Sequence, residues 1–136
     1  MRKQLFTAGL IVVRDNAILL AYSRNKQAWY LPGGKIDAGE SAKEALVREI
    51  EEELGLTLDK DKLVPYGRIT ADAYGEQELL MEQDCFLYPD LKDIRPNNEI
   101  EAVEYFTLDS YRAQEAQVEG VLVAFRRLQA DKLLAP

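Results

Sequence analysis

The chain has 136 residues, 47% hydrophobic and 30% charged, a profile that fits one ordinary globular domain over residues 1–136 and excludes a disordered segment. Twenty-four acidic residues against seventeen basic ones give a net charge of -7, a field that repels nucleic-acid backbones and anionic lipid and discounts both as broad partners. Histidine is absent, so histidine metal sites and histidine acid–base chemistry are excluded. Catalysis would have to run on carboxylates, lysine, tyrosine or metal-bound water.

The segment Leu5 to Arg14 is rich in Val, Ile, Leu and Phe, and Ala17 to Tyr22 is a second apolar run. Asp15-Asn16 between them predicts a two-residue turn and a β-hairpin. The first run is too short for a membrane span and lacks a small-residue cleavage pattern, so the expectation is a strand in a cytoplasmic protein. Ser23 to Gly34 predicts a loop without regular structure, because Pro32, Gly33 and Gly34 fall within it.

Ser41 to Leu54 is the clearest helix. Ser41 and Glu44 match a capping box, and Gly55 stands where a left-handed cap belongs. Ala42, Ala45, Leu46, Ile50 and Leu54 recur at helical spacing as a buried stripe. Further on, Leu63 to Ala73 and Glu78 to Tyr88 predict two strands joined at Tyr74-Gly75-Glu76, with Cys85 as a small core residue. Pro89 to Asn98 predicts a loop, Ala102 to Leu108 a short strand, and Asp109 to Leu134 a mostly helical stretch with Leu122, Phe125 and Leu128 inside. Strands, helix, strands, helix is the order of a mixed sheet with helices on its faces.

The chemistry concentrates between Gly34 and Leu56. Glu49, Glu52 and Glu53 stand at i, i+3 and i+4, so one helix face carries all three carboxylates. Such a cluster repels itself, and a hard divalent cation with oxygen ligands relieves the repulsion. Arg48 lies beside the cluster, one turn before Glu52, and can orient a carboxylate. The glycine pair lets backbone approach a metal or phosphate closely.

These residues carry a resemblance. Gly34, Glu40, Arg48, Glu49, Ile50, Glu52, Glu53, Gly55 and Leu56 meet every fixed position of the signature of the Nudix hydrolases: Gly, five residues, Glu, seven residues, Arg-Glu, apolar, any, Glu-Glu, any, Gly, apolar. Chance would produce this match roughly once in ten million such chains. The lead-in Trp29-Tyr30-Leu31-Pro32 and the stretch Asn98-Glu99-Ile100-Glu101 before Tyr105-Phe106 also resemble the family.

The resemblance implies an α/β/α sandwich around a mixed sheet, of the MutT-like kind. It implies a pyrophosphohydrolase that uses Mg²⁺ or Mn²⁺ to cut the diphosphate of a nucleoside diphosphate linked to a group X. Glu52, Glu53 and the Gly34 carbonyl would form the metal shell, Glu49 would ligate the metal or serve as base, and Arg48 and Glu40 would orient. Glu99 is the first candidate for the base, Glu53 the second, and Glu101 a weaker third. Arg24, Lys26 and Lys35 are phosphate candidates in the flanking loops. Trp29 and Tyr30 are stacking candidates for a base.

Nucleoside triphosphates, damaged ones included, are the leading substrate class. Tyr74 lies where relatives acting on dinucleoside polyphosphates often carry a tyrosine, which makes that class the alternative. The proline that marks many ADP-ribose hydrolases is absent from Ala71-Asp72-Ala73. A nucleotide-sensing module of the same fold is the reading from another class. Dimers are frequent among relatives, so a homodimer is a further expectation.

Overall fold

The computed structural model describes residues 2–136. Its strands are β1 (Lys3–Ile11), β2 (Val13–Arg14), β3 (Ala17–Ser23), β4 (Ala28–Tyr30), β5 (Gly33–Lys35), β6 (Val64–Ala73), β7 (Glu76–Leu87) and β8 (Ile100–Phe106). Its α-helices are α1 (Ala42–Leu54), α2 (Leu108–Arg112) and α3 (Glu119–Ala130). One mixed sheet has the order β5-β1-β7-β6, with β1 and β7 parallel and both outer pairs antiparallel. In the second sheet β3 is the hub and pairs antiparallel with β2, β4 and β8.

Alternation along the strands divides the core into two layers. Ala8, Leu10 and Val12, with Leu19 and Ala21, pack on Leu46, Ile50 and Leu54 of α1. Their neighbours Ile11, Ile18 and Leu20 turn the other way and join Phe106, Tyr111, Val121, Ala124, Phe125 and Leu128. This is the expected sandwich, an α+β fold with a mixed sheet at its centre. Cys85 is 1% exposed in the second layer, and burial pushes its thiol up to about 12. It is a core residue. Among the described residues no helix is long and apolar enough to cross a membrane.

Three expectations need correction. The Asp15-Asn16 turn is present, both residues at positive φ (49° and 63°), but it joins only Val13–Arg14 to β3. The rest of the first apolar run is β1, which leaves for the other sheet because it finds a nine-residue parallel partner in β7. The segment from Ser23 to Gly34 is not structureless: it holds β4 and the start of β5. Gln27 turns at φ 53°, β4 zips back onto β3, and Leu10 donates its N–H to the Pro32 carbonyl at 2.8 Å. Proline removes a donor but keeps its acceptor, so a ladder passes through it.

The C-terminal helical stretch breaks in two. The Tyr111 hydroxyl accepts from the Val118 N–H (2.9 Å) and donates to the Trp29 carbonyl (3.0 Å), so residues 113–118 wrap around it instead of continuing the helix. Gly120 sits inside α3 and breaks nothing. It makes room for Met81, whose methyl would lie 2.8 Å from a Cβ at that position. The inner face of α3 is Val121, Ala124, Phe125 and Leu128, while Leu122 is half-buried.

Candidate active site

Helix α1 is fixed at both ends. The Ser41 hydroxyl accepts from the Glu44 N–H (3.1 Å), and the Glu44 carboxylate accepts from the Ser41 N–H (2.9 Å). At the far end Gly55 takes φ 67° and donates to the Glu51 carbonyl. The remaining free carbonyls are taken by the loop before β8. Arg95 N–H bonds the Leu54 carbonyl (2.9 Å), Asn97 N–H the Glu53 carbonyl (2.8 Å) and the Asn98 amide the Glu52 carbonyl (3.0 Å). Satisfying a helix end with a distant loop thus delivers Glu99 to the pocket that Glu53 lines.

The three helix carboxylates are not equivalent. Glu53 faces inward and is 6% exposed. Its Oε1 accepts from the Gly33 N–H at 3.2 Å. Burial pushes its carboxyl up to about 8; the Gly33 bond opposes this, and the charges of Glu49 and Glu99 add to it. Glu49 is also raised by burial, against the pull of Arg48. Glu52 is half exposed, 3.5 Å from Arg48.

Arg48 organises the outer side. Its Nε and Nη2 fork onto the Glu40 carboxylate at 2.8 and 2.9 Å. Nη1 donates to Glu49 at 2.8 Å, and Nη2 reaches the Lys35 carbonyl at 3.0 Å. Asp37 adds an ion pair at 3.3 Å. The Arg48 hydrogen bonds hold the Glu40 carboxyl down at about 2. No ion pair involves Glu53 among the described residues.

The glycine turn is built for this contact. A Cβ at Gly34 would stand 2.5 Å from Glu49 Oε2, so only glycine lets that carboxylate lie against the strand. Gly33, at φ 138°, passes so close to the Ala8 carbonyl that no side chain fits. An all-oxygen donor set whose inner carboxyl is raised by burial and by the neighbouring Glu49 and Glu99 charges suits a hard divalent cation, which would favour the ionised form. Among the described residues no three acidic side chains converge into a ready cage.

A pocket of about 320 Å³ opens beside Glu53. Glu99, Lys26, Lys35, Tyr30 and Tyr74 line it together with Glu53 and both glycines. The rings of Tyr30 and Tyr74 meet edge to face at 6.2 Å, and burial raises the Tyr30 hydroxyl well above its ordinary range. Arg24 lies outside the pocket. Its N–H bonds the Glu99 carbonyl (2.8 Å) and its guanidinium the Asn98 carbonyl (3.3 Å), so it holds the Glu99 loop. Trp29 also points away from the pocket, edge-on to Tyr22 and Phe106 at 5.2 and 4.9 Å. Glu101 is an exposed strand residue on β8 and is absent from the pocket lining.

Sequence reasoning missed Thr7, Ser23, Met81 and Gln83, which also line the pocket. Each is a single residue on a strand, with no local pattern to mark it. Asp37 and Asn97 were missed as well; the capping need of α1 was the available signal for Asn97.

Comparison with known proteins gives the family and the fold. The model of the NUDIX domain matches residues 3–125. An ADP-ribose pyrophosphatase of Methanocaldococcus jannaschii is 49% identical over 49 residues, covering 34% of this chain and 29% of that protein. An RNA pyrophosphohydrolase of Ruthia magnifica is 44% identical over 52 residues, covering 38% and 29%. The chain spans about a third of the length of the curated relatives it matches. The crystal structure of a MutT NUDIX hydrolase from Burkholderia pseudomallei superposes with a TM-score of 0.77 at 25% identity, covering 93% of this chain and 99% of that one. With the family model matched over nearly the whole chain, the chain belongs to the Nudix hydrolase family.

Proposed function

We infer that this chain hydrolyses the diphosphate linkage of a nucleoside diphosphate joined to X, with nucleoside triphosphates and damaged nucleotides as the favoured class. The observation that carries the reading is the buried Glu53 carboxyl in the lining of a ligand-sized pocket, with Glu49 on the same helix lying against Gly34. Glu49, Glu52, Glu53 and the Gly34 carbonyl are the ligands assigned to Mg²⁺ or Mn²⁺. When bound, the cation supplies Lewis-acid stabilisation of phosphate charge and a water of lowered pKa.

The chain's own residues do the rest. Arg48, forked onto Glu40, holds Glu49 in place. Glu99, exposed and tethered by Asn25 at 3.2 Å, accepts the proton of the attacking water, with Glu53 as the second candidate. Lys35 and Lys26 face the pocket as phosphate contacts. Arg24 acts at one remove, by fixing the Glu99 loop. The edge-to-face Tyr30–Tyr74 pair favours a second reading, dinucleoside polyphosphates, since it could stack on a further base.

Phosphate release from a nucleotide panel, with and without Mg²⁺, tests this for wild type and Glu53→Gln. The panel holds ordinary and oxidised nucleoside triphosphates, a dinucleoside polyphosphate, ADP-ribose and a nucleotide sugar. The expected result is turnover of a triphosphate only with metal, lowered by orders of magnitude in the variant. Turnover equal in both proteins overturns the carboxylate mechanism. Nucleotide binding without turnover replaces the hydrolase reading with a sensor.

A further inference from the structure

The floor of the pocket is polar where strand interiors are ordinarily apolar. Thr7 and Gln83 are 7% and 8% exposed and stand opposite each other in the parallel β1–β7 register. Both line the pocket. The Thr7 hydroxyl is buried with no hydrogen-bond partner, a condition that folded proteins avoid because it costs free energy. The Gln83 amide lies over Gly9: a Cβ there would come within 2.8 Å of its Cδ and 2.9 Å of its Nε2. Gly9 therefore makes the space that the amide occupies.

A ligand for this floor must match its chemistry. The amide offers one acceptor and two donors, and the hydroxyl can donate or accept. The walls around them are Leu5, Ala21 and Met81, with Tyr30 and Tyr74 beside them. The cationic side chains of the lining, Lys26 and Lys35, belong to the β3–β4 loop and to β5. Thr7 and Gln83 are both neutral, so the floor suits a phosphate poorly. A flat heterocycle with adjacent donor and acceptor atoms on one edge fits: its faces meet apolar and aromatic walls, and its edge meets the amide and hydroxyl.

We propose that Thr7 and Gln83 read the hydrogen-bonding edge of the substrate's nucleobase and set which base this chain accepts. The inference rests on the nucleotide reading above and names the part of the substrate that confers selectivity. Thr7 and Gln83 are specificity residues; neither is assigned to the metal or to proton transfer.

The test is calorimetric binding of non-hydrolysable triphosphate analogues carrying adenine, guanine, cytosine or uracil, and of a base-free ribose triphosphate. Wild type, Thr7→Val and Gln83→Leu are compared. Wild type should rank the bases and bind the base-free compound more weakly. Gln83→Leu should lose about tenfold for the preferred base, the worth of a buried hydrogen bond, and flatten the ranking. It should leave the base-free affinity unchanged. Thr7→Val should lose several-fold for the same base while its melting temperature holds or rises, because a valine methyl replaces an unpartnered hydroxyl. A purely structural role would lower the melting temperature and spare the ranking. The proposal is overturned if both variants keep the wild-type ranking within twofold, or if wild type binds the base-free compound as tightly as the nucleotides. Wild-type turnover of the same nucleotides judges the hydrolase reading separately.

Discussion

Glu53→Gln should make the metal-free protein more stable, and the gain should depend on pH. In the folded chain the Glu53 carboxyl is raised from an ordinary 4.5 to about 8, chiefly by burial. The fold therefore favours its protonated form, and stability falls as pH rises between those two values. Each pH unit in the window costs ~1.4 kcal/mol, so the ionised side chain costs at most about 4–5 kcal/mol at pH 8 and nothing below pH 4. The glutamine keeps the shape and can still accept from the Gly33 N–H. Urea unfolding in a chelator from pH 4.5 to 8.5 measures the difference. The variant should match wild type at the acid end and exceed it by a few kcal/mol near pH 8. Adding Mg²⁺ should then stabilise wild type more than the variant, because the cation binds the folded carboxylates. Parallel pH profiles for the two proteins, or a variant less stable at pH 8, would refute burial as the source of the strain at Glu53.

Gly34→Ala should abolish most activity with little loss of fold. Its Cβ would stand 2.5 Å from Glu49 Oε2, and if Glu49 has the role proposed for it, displacing its carboxylate by about an ångström costs on the order of a hundredfold in kcat, which steady-state rates on a turned-over nucleotide would show. Glu40→Gln should alter acid stability: Arg48 holds this carboxyl at about 2, so its contribution is complete above the ordinary 4.5 and lost as pH falls towards 2. The gap between wild type and variant in acid titrations should be open at pH 7 and closed near pH 2. Ser41→Ala should remove the α1 N-cap and cost about 1 kcal/mol, read as a lower melting temperature with kcat retained below the transition.

What the sequence revealed about this molecule depends on how local the determining interaction is. The α1 boundaries were legible to the residue, because the capping box and the glycine cap are set within a few positions. The carboxylate face was legible for the same reason, since i, i+3 and i+4 spacing needs only helical geometry. The unequal burial of Glu49, Glu52 and Glu53 was not, because it depends on how α1 lies against β5. Strands β4 and β5 were hidden by the proline and glycines that ordinarily punctuate chains; here the pairing with β3 and β1 outweighs those local preferences. The break after Arg112 turns on one buried hydroxyl, Tyr111, whose partners at Trp29 and Val118 no periodicity could supply.

The same contrast bears on how chemistry and selectivity are joined. In the proposed assignment the metal ligands sit on α1 and the glycine turn, while Thr7 and Gln83 sit on β1 and β7. Strand β1 links the two sets residue by residue: Thr7 pairs with Lys35, Ala8 with Gly34 and Gly9 with Gly33. A base seated on Thr7 is thereby placed at a fixed distance, along one strand, from the turn that meets Glu49 and Glu53. Substituting the side chains at Thr7 and Gln83 would change which base is accepted without moving that turn, because the β1–β5 ladder is carried by backbone bonds. In such a division the helix and turn serve the diphosphate, and the strand side chains at Thr7 and Gln83 serve the group beyond it.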